Sequence, residues 1–165
     1  MNTWHNYLIN TLTTPLTQGH LPADDLANQL TKTNGREAYH CLYDLEARPD
    51  YDKYKGQNRP ALGYYWFDFD HEVSRGEIAL QDVRKFLEWL EVKDVIVFFS
   101  GSKGFHVGVP HGYVGFEFDE DLKTKVGDLY IRLKTMWSTL DSSISDSTRK
   151  FRAPGSKHPK TGLYK

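Results

Sequence analysis

Ala61-Leu62-Gly63-Tyr64-Tyr65-Trp66-Phe67-Asp68-Phe69-Asp70 is the stretch on which the fold turns. It is aromatic-rich and reads as a β-strand. Side chains alternate faces along a strand, so Asp68 and Asp70 share one face, with ~6–7 Å between their Cα atoms. Phe67 and Phe69 then point the other way, into a core. Working outward, Ala79 to Glu91 predicts an amphipathic helix with Leu80, Val83, Leu87 and Leu90 on one face and Arg84, Glu88 and Glu91 outward. Val95 to Ser100 is a short apolar run of strand length, expected to be buried on both faces. Gly101-Ser102-Lys103-Gly104 is a turn from which Phe105 to Pro110 returns as a second strand, forming a hairpin. Glu120 to Leu140 predicts another helix, with Leu122, Val126, Leu129, Leu133, Trp137 and Leu140 at three- and four-residue steps. Its first turn is acidic, as the helix dipole favours, and short polar segments follow it.

The first third is less regular. Leu8 to Leu30 reads as helical stretches broken at Pro15 and Gly19-His20, with a helix start at Asp24-Asp25 after Pro22. Residues 47–60 read as an exposed loop rich in Pro, Gly, Asp, Tyr and Lys. Helices and strands mix without strict alternation, which gives an α+β class with a mainly antiparallel sheet flanked by helices. At 165 residues the chain reads as one domain, residues 1–60 a helical and loop part and residues 61–165 the motif-bearing core.

Hydrophobic content of 39% and charged content of 26% are ordinary for a soluble domain. No apolar run approaches the ~20 residues a membrane span needs. Met1 to His5 lacks the basic-then-apolar pattern of a secretory signal, so the cytoplasm is the expected compartment. The single cysteine, Cys41, excludes an internal disulfide and a cysteine-based zinc cluster. The net charge of −1 hides an asymmetry: all 22 acids lie at or before Asp146, whereas Arg149 to Lys165 carries six bases and no acid. An acidic body joined to a basic end suits a site that holds metal on one side and phosphates on the other; a solvated basic tail is the simpler alternative.

Three clusters carry chemistry. Asp68 and Asp70 are two carboxylates on a rigid strand, able to bind Mg²⁺ or Mn²⁺ ions that also take phosphate oxygens; alone, such a pair is more often an ordinary acidic strand face. Ser100-Gly101-Ser102-Lys103-Gly104-Phe105-His106 supplies two hydroxyls, a cation and a turn whose N–H groups can approach a triphosphate, with His106 opposite Phe105 as a hydrogen-bond donor. The spacing is not that of a P-loop, and a plain hairpin with a core histidine is the alternative. The third cluster runs from Leu140-Asp141 to Arg149-Lys150-Phe151-Arg152-Ala153-Pro154-Gly155-Ser156-Lys157-His158-Pro159-Lys160-Thr161-Gly162. Asp141 can complete a metal site, and the arginines give bidentate phosphate contacts.

In this order the clusters resemble the three signature motifs of the archaeo-eukaryotic primase superfamily. That superfamily includes replicative primase small subunits, plasmid and viral primase-polymerases, and the polymerase domains of bacterial end-joining ligases. The resemblance covers residues 61–165, and His158-Pro159-Lys160-Thr161-Gly162 is its most specific piece. It implies a primase-like catalytic core performing DNA-templated nucleotidyl transfer, the synthesis or extension of primers in DNA replication. Asp68, Asp70 and Asp141 would hold two Mg²⁺ or Mn²⁺ ions, with Asp146 a rival to Asp141. Ser100, Ser102, Lys103, His106, Arg149, Arg152 and His158 would bind the incoming nucleotide, and Lys157 and Lys160 phosphates or primer. The implied partners are a single-stranded DNA template, nucleoside triphosphates, and a second primase subunit or domain or a helicase. No zinc is expected: many family members carry a zinc-binding insertion, which a single cysteine does not allow, and the 29 residues between Asp70 and Ser100 leave little room for an inserted domain. Family members usually continue with a further strand after this basic stretch, and template grip and initiation commonly draw on a second subunit or domain. Two other readings stand beside this one. Asp68, Asp70, His71 and Glu72 can form the metal cluster of a nuclease or phosphodiesterase, or the chain can be a non-catalytic nucleic-acid-binding subunit. Tyr51, Tyr54, Tyr64, Tyr65 and Trp66 offer stacking surface for bases, although Tyr64 and Trp66 fit sheet packing better.

Overall fold

Strands dominate even where the sequence reads as broken helix. The structure, a computed structural model, describes residues 4–9, 17–22, 36–45, 57–60, 63–72, 76–116, 122–145 and 149–165. Within the first third these form β1 (Trp4–Ile9), β2 (Thr17–Pro22), β3 (Ala38–Cys41), β4 (Tyr43–Leu45) and β5 (Gln57–Pro60). The expected helical stretches at Leu8 to Leu30 are therefore corrected over their described part to strand. Backbone pairing overrides weak local preference there, since β1 and β2 pair antiparallel from Trp4↔Pro22 to Ile9↔Thr17. The proposed helix start at Asp24-Asp25 and most of the loop 47–60 lie outside the described residues; the loop's last four residues are β5.

Next come β6 (Tyr64–Asp70), α1 (Glu77–Leu90), β7 (Ile96–Phe99), β8 (Gly104–Pro110), α2 (His111–Val114), α3 (Leu122–Lys134), a 3-10 turn (Ser142–Ser145) and β9 (Lys150–Arg152). Two antiparallel sheets result. In the larger, β1 pairs with β2 on one edge and with β3 and β4 on the other; β9 then pairs with β3, and β5 with β4. In the smaller, β8 lies between β6 and β7. The larger sheet thus joins the first third of the chain to its basic end.

Alternation along β6 sets the layers. Phe67 and Phe69 meet Phe86 of α1 at ring-centroid distances of 5.0 and 5.2 Å, and Phe67 meets Tyr130 of α3 at 5.2 Å. Fully burying side chains of this size is worth about 1.5–3 kcal/mol each. The buried stripe of α1 is Ala79, Asp82, Val83 and Phe86, with Leu87 and Leu90 partly buried at its side. It is centred on Phe86 rather than on the expected leucines because the ring fits between Phe67, Phe69 and Trp137. On the other face of the small sheet, Trp66 packs against Phe98, Phe151 and His40. β7 is an edge strand with Val97 exposed, which corrects the expectation of a strand buried on both faces. No helix among the described residues is long and apolar enough to cross a membrane.

The predicted helix Glu120 to Leu140 is shorter than its periodicity. α3 ends at Lys134, whose ammonium binds the carbonyls of Leu140 at 2.6 Å and Ser138 at 3.2 Å. The chain leaves the helix so that residues 139–141 can run along β6: Phe69 bridges Leu140, Asp70 N–H donates to the Thr139 carbonyl at 2.8 Å, and Asp141 N–H to the Asp68 carbonyl at 2.8 Å. Buried Asp82 fixes this segment from α1, accepting from Thr139 N–H at 3.1 Å and Thr139 Oγ1 at 2.9 Å. Asp82→Ala leaves these donors without their carboxylate partner and is expected to cost about 2–3 kcal/mol in urea denaturation. Asp82→Asn should cost less, because its amide oxygen still accepts. An alanine variant as stable as the wild type would show that this tie does not hold the segment.

Candidate active site between the two sheets

Antiparallel register builds the acidic side. Phe98, His106 and Asp68 lie opposite one another across β7, β8 and β6, and Asp70 lies opposite Gly104. Residues facing each other across antiparallel strands share a sheet face. The edge segment then sets Asp141 beside Asp68. Gly104 permits the close turn: a Cβ there would lie 2.3 Å from the Phe69 carbonyl oxygen. Ser100 closes the hairpin, its N–H donating to the Gly104 carbonyl at 2.8 Å and its hydroxyl accepting from Gly104 N–H at 3.2 Å.

The basic side comes from β9 and the residues after it. Arg149 Nη2 donates to Asp141 Oδ2 at 2.8 Å, and Lys103 Nζ lies 3.5 Å from Asp70 Oδ2. Arg152 donates from Nη1 to the Ser100 carbonyl, while its Nε is buried without a hydrogen-bond partner. Gly101, at φ +86°, packs against this arginine; a Cβ would come within 2.7 Å of Nη1. His158 Nδ1 accepts from the N–H groups of Lys160 at 3.1 Å and Thr161 at 3.2 Å. That fixes the ring proton on Nε2, leaving Nε2–H as a donor.

Burial governs the charges beneath the cleft. The Asp68 carboxyl is pushed up to about 7, first by burial and then by the negative charges of Asp70 and Asp141. His106 is buried, stacked on Phe151 at 4.0 Å, and burial drives its pKa well below the usual histidine value. The 3.7 Å approach of His106 Nε2 to Asp68 Oδ1 is therefore a contact of a neutral ring, not an ion pair. Lys165 completes the layer. Its ammonium donates to the Arg152 carbonyl at 2.6 Å and lies 5.3 Å from the ring centroids of Trp66 and Phe98 and 5.4 Å from that of Phe151. Burial pushes it down to about 7, although Asp68 opposes that shift.

Between the two sides lies a cavity of about 580 Å³, a size typical of small-molecule sites. Of the residues singled out in sequence, Asp68, Asp70, Ser100, Ser102, Lys103, His106, Arg149, Arg152 and His158 line it, and so does Lys160. Asp141 is not in the lining; it sits behind, bound to Arg149 and to the Ser143 N–H at 2.9 Å. Lys157 lies outside the cavity, and neither His71 nor Glu72 lines it. Asp146 falls outside the described residues. Among the described residues, no group of three or more His, Cys, Asp or Glu side chains stands close enough to hold a metal ion as arranged. The sequence reading missed Tyr39, Lys150, Phe151 and Pro159 in the lining and Lys165 beneath it. Alternation could have placed Phe151 inward between Lys150 and Arg152. Nothing local marks Tyr39, which reaches the site because it pairs with Arg152 across β3 and β9.

No protein-family model matches this sequence, and no curated protein matches it. Two solved structures match in fold. The AEP domain of the cyanophage S-2L primase-polymerase gives a TM-score of 0.54 at 16% identity, covering 99% of this chain and 78% of that one. The polymerase domain of Mycobacterium tuberculosis ligase D, solved in complex with DNA, gives 0.50 at 16% identity, covering 97% and 70%. The mixed helix and antiparallel-sheet architecture of this chain is structurally similar to that of AEP primase-polymerase domains, a likeness of fold at this level of identity.

Proposed function

We propose that the chain is a template-directed nucleotidyltransferase that makes or extends primers on single-stranded DNA from nucleoside triphosphates, acting in the cytoplasm. The observation that carries this is the cavity with Asp68, Asp70 and Lys103 on the side of the small sheet and Arg149, Arg152 and His158 on the other, on a fold similar to primase-polymerase domains. The nuclease reading needs His71 and Glu72 at the site, and neither is in the lining.

The acidic donors are of the oxygen type a hard divalent cation takes, and since they do not stand close enough to hold one as arranged, Asp141 and Asp70 must first release Arg149 and Lys103. Asp68, Asp70 and Asp141 offer carboxylate oxygens, and the Asp68 pKa is raised first by burial and then by the charges of Asp70 and Asp141, both of which disfavour an ionised carboxylate without a cation beside it. These three residues would hold Mg²⁺ or Mn²⁺, which when bound supplies Lewis acidity to the attacking hydroxyl and the leaving pyrophosphate. The chain's residues do the remaining work. Asp141 exchanges Arg149, and Asp70 exchanges Lys103, as binding proceeds. The freed guanidinium and ammonium then join Arg152 and the Nε2–H of His158 on the triphosphate oxygens. Ser100 and Ser102 hydroxyls border the same cavity. The 3′-hydroxyl of the growing strand releases its proton to water as its oxygen attacks the α-phosphorus, the bond from the α-phosphorus to the bridging oxygen breaks, and pyrophosphate leaves with that oxygen. A second subunit, domain or helicase would supply template grip and initiation.

Asp68→Ala is expected to remain folded and to lose at least ~10³-fold of nucleotide incorporation. The assay is labelled nucleotide incorporation on unprimed and primed single-stranded DNA with Mg²⁺ or Mn²⁺. Full incorporation by a folded Asp68→Ala protein would sink the proposal. A second expectation concerns stability. Because the folded pKa of Asp68 is raised from 3.8 to about 7, its protonated form stabilises the fold at low pH, and this is lost as pH rises through about 7. In metal-free buffer Asp68→Asn should therefore gain stability over wild type as pH rises from 4 to 8, by a few kcal/mol at most. Added Mn²⁺ should raise the melting temperature of the wild type and not of Asp68→Asn. Parallel melting curves for the two proteins across this range would refute the cost of burying the Asp68 carboxylate beside Asp70 and Asp141.

A further inference from the structure

A second cavity, of about 550 Å³, adjoins the first across the turn formed by residues 158–162. His158, Pro159 and Lys160 line both cavities, so this turn is a partition between them. Arg36, Glu37 and Lys157 belong to the second cavity alone, and neither Asp68 nor Asp70 reaches it.

The partition is held firmly. Lys157 and Tyr164 form an antiparallel bridge, His158 N–H donates to the Leu163 carbonyl at 2.7 Å, and Gly162 N–H to the His158 carbonyl at 2.9 Å. Thr161 Oγ1 donates to the Gly101 carbonyl, fixing the turn to the Ser100–Gly104 hairpin. Lys157 extends along this turn, its Cε 3.5 Å from where a Cβ on Gly162 would lie.

Its charge is one-sided. Among the described residues, its lining carries Arg36, Lys157 and Lys160 and one acid, Glu37, which accepts the Tyr39 hydroxyl at 2.7 Å. Among the described residues, neither Lys157 nor Lys160 pairs with a carboxylate. Burial, then Arg152 and Lys160, hold the His158 pKa below the usual value, so the ring in the partition is a neutral donor at pH 7.

We propose that this cavity is a second phosphate-chain site, which receives the pyrophosphate leaving the nucleotide cavity; the role as a leaving-group site rests on the nucleotidyl-transfer reading. In that reading the α-phosphorus sits by Asp68 and Asp70, and the β- and γ-phosphates extend toward Arg152, His158 and Lys160. Once the α–β bridge breaks, the departing anion lies against the partition, with Arg36 and Lys157 beyond it. Lys160 and the His158 ring N–H, shared across the turn, let phosphate contacts be exchanged for others rather than lost to water. A polynucleotide backbone is the other source of phosphate charge, and the test separates the two.

Sodium pyrophosphate titrated calorimetrically into the full chain in EDTA should reveal two sites. Arg36→Gln/Lys157→Gln should lose one of them, and Lys157→Gln alone should weaken it about tenfold, while nucleotide affinity with Mn²⁺ changes less than about twofold. Unchanged stoichiometry in the double variant would overturn the proposal. So would an equal loss of nucleotide affinity, or loss of oligonucleotide binding with pyrophosphate binding intact. In kinetics, the double variant should show about tenfold weaker product inhibition by pyrophosphate. A chain that binds pyrophosphate at both sites yet incorporates no nucleotide would keep the anion site and overturn the proposed reaction instead.

Discussion

Asp70 N–H on the Thr139 carbonyl and Asp141 N–H on the Asp68 carbonyl are the two hydrogen bonds on which the cleft depends. Without them β6 would be a free edge on that side, and Asp141 would sit on an unattached loop. With them, cross-strand register places Asp141 beside Asp68 as strictly as sequence alternation places Asp70. The same two bonds explain why α3 stops early: a helix continued to Leu140 would carry those backbone groups away from β6. Asp82 and Lys134 therefore act on the site without touching it, one holding Thr139 and the other the Leu140 carbonyl.

Charge follows from this geometry. Asp141 is bound to Arg149 and Asp70 lies near Lys103, so those acids are compensated from within. Asp68 has no such contact among the described residues: the base beside it is a buried histidine held neutral, Arg149 and Lys165 offset its charge only in part, and burial followed by the charges of Asp70 and Asp141 raises its pKa to about 7. A cation alone would leave Arg149 and Lys103 without their partners, and a triphosphate alone would leave the acids without theirs. Under the proposed function, each ligand would therefore supply the partners that the other displaces, which amounts to a positive coupling between cation and nucleotide.

The acids and the hairpin were legible because they rest on local signals. Period-two alternation in Trp66 to Asp70, the two glycines of Ser100 to Gly104 and the three- and four-residue steps of α1 each fix a residue relative to its sequence neighbours. Tyr39 and the first-third strands were not legible, since they pair across long separations: β3 meets β9 more than a hundred residues away, as in Tyr39↔Arg152. Strand identity there comes from the partner edge, and Gly, Pro and Thr in residues 10–22 mask it locally. The end of α3 was misread for a related reason. Trp137 and Leu140 keep the helical spacing because both stay buried, although the backbone between them serves β6.

Three side-chain nitrogens, Trp66 Nε1, His106 Nδ1 and Arg152 Nε, are buried without a hydrogen-bond partner, and all lie in or under the cleft. Each such group costs about 1–3 kcal/mol, and folded proteins hold few of them. Arg152 is the most informative of the three. Its Nη1 is anchored on the Ser100 carbonyl, and Gly101 leaves no room for a side chain that would push it aside. The guanidinium is thus held against the hairpin before any ligand arrives, on the Ser100 carbonyl and beside Gly101, with the Tyr39 ring centroid 5.9 Å away. A cation held in this way loses little further entropy when an anion binds it, and that preorganisation offsets the cost of its unpartnered nitrogen.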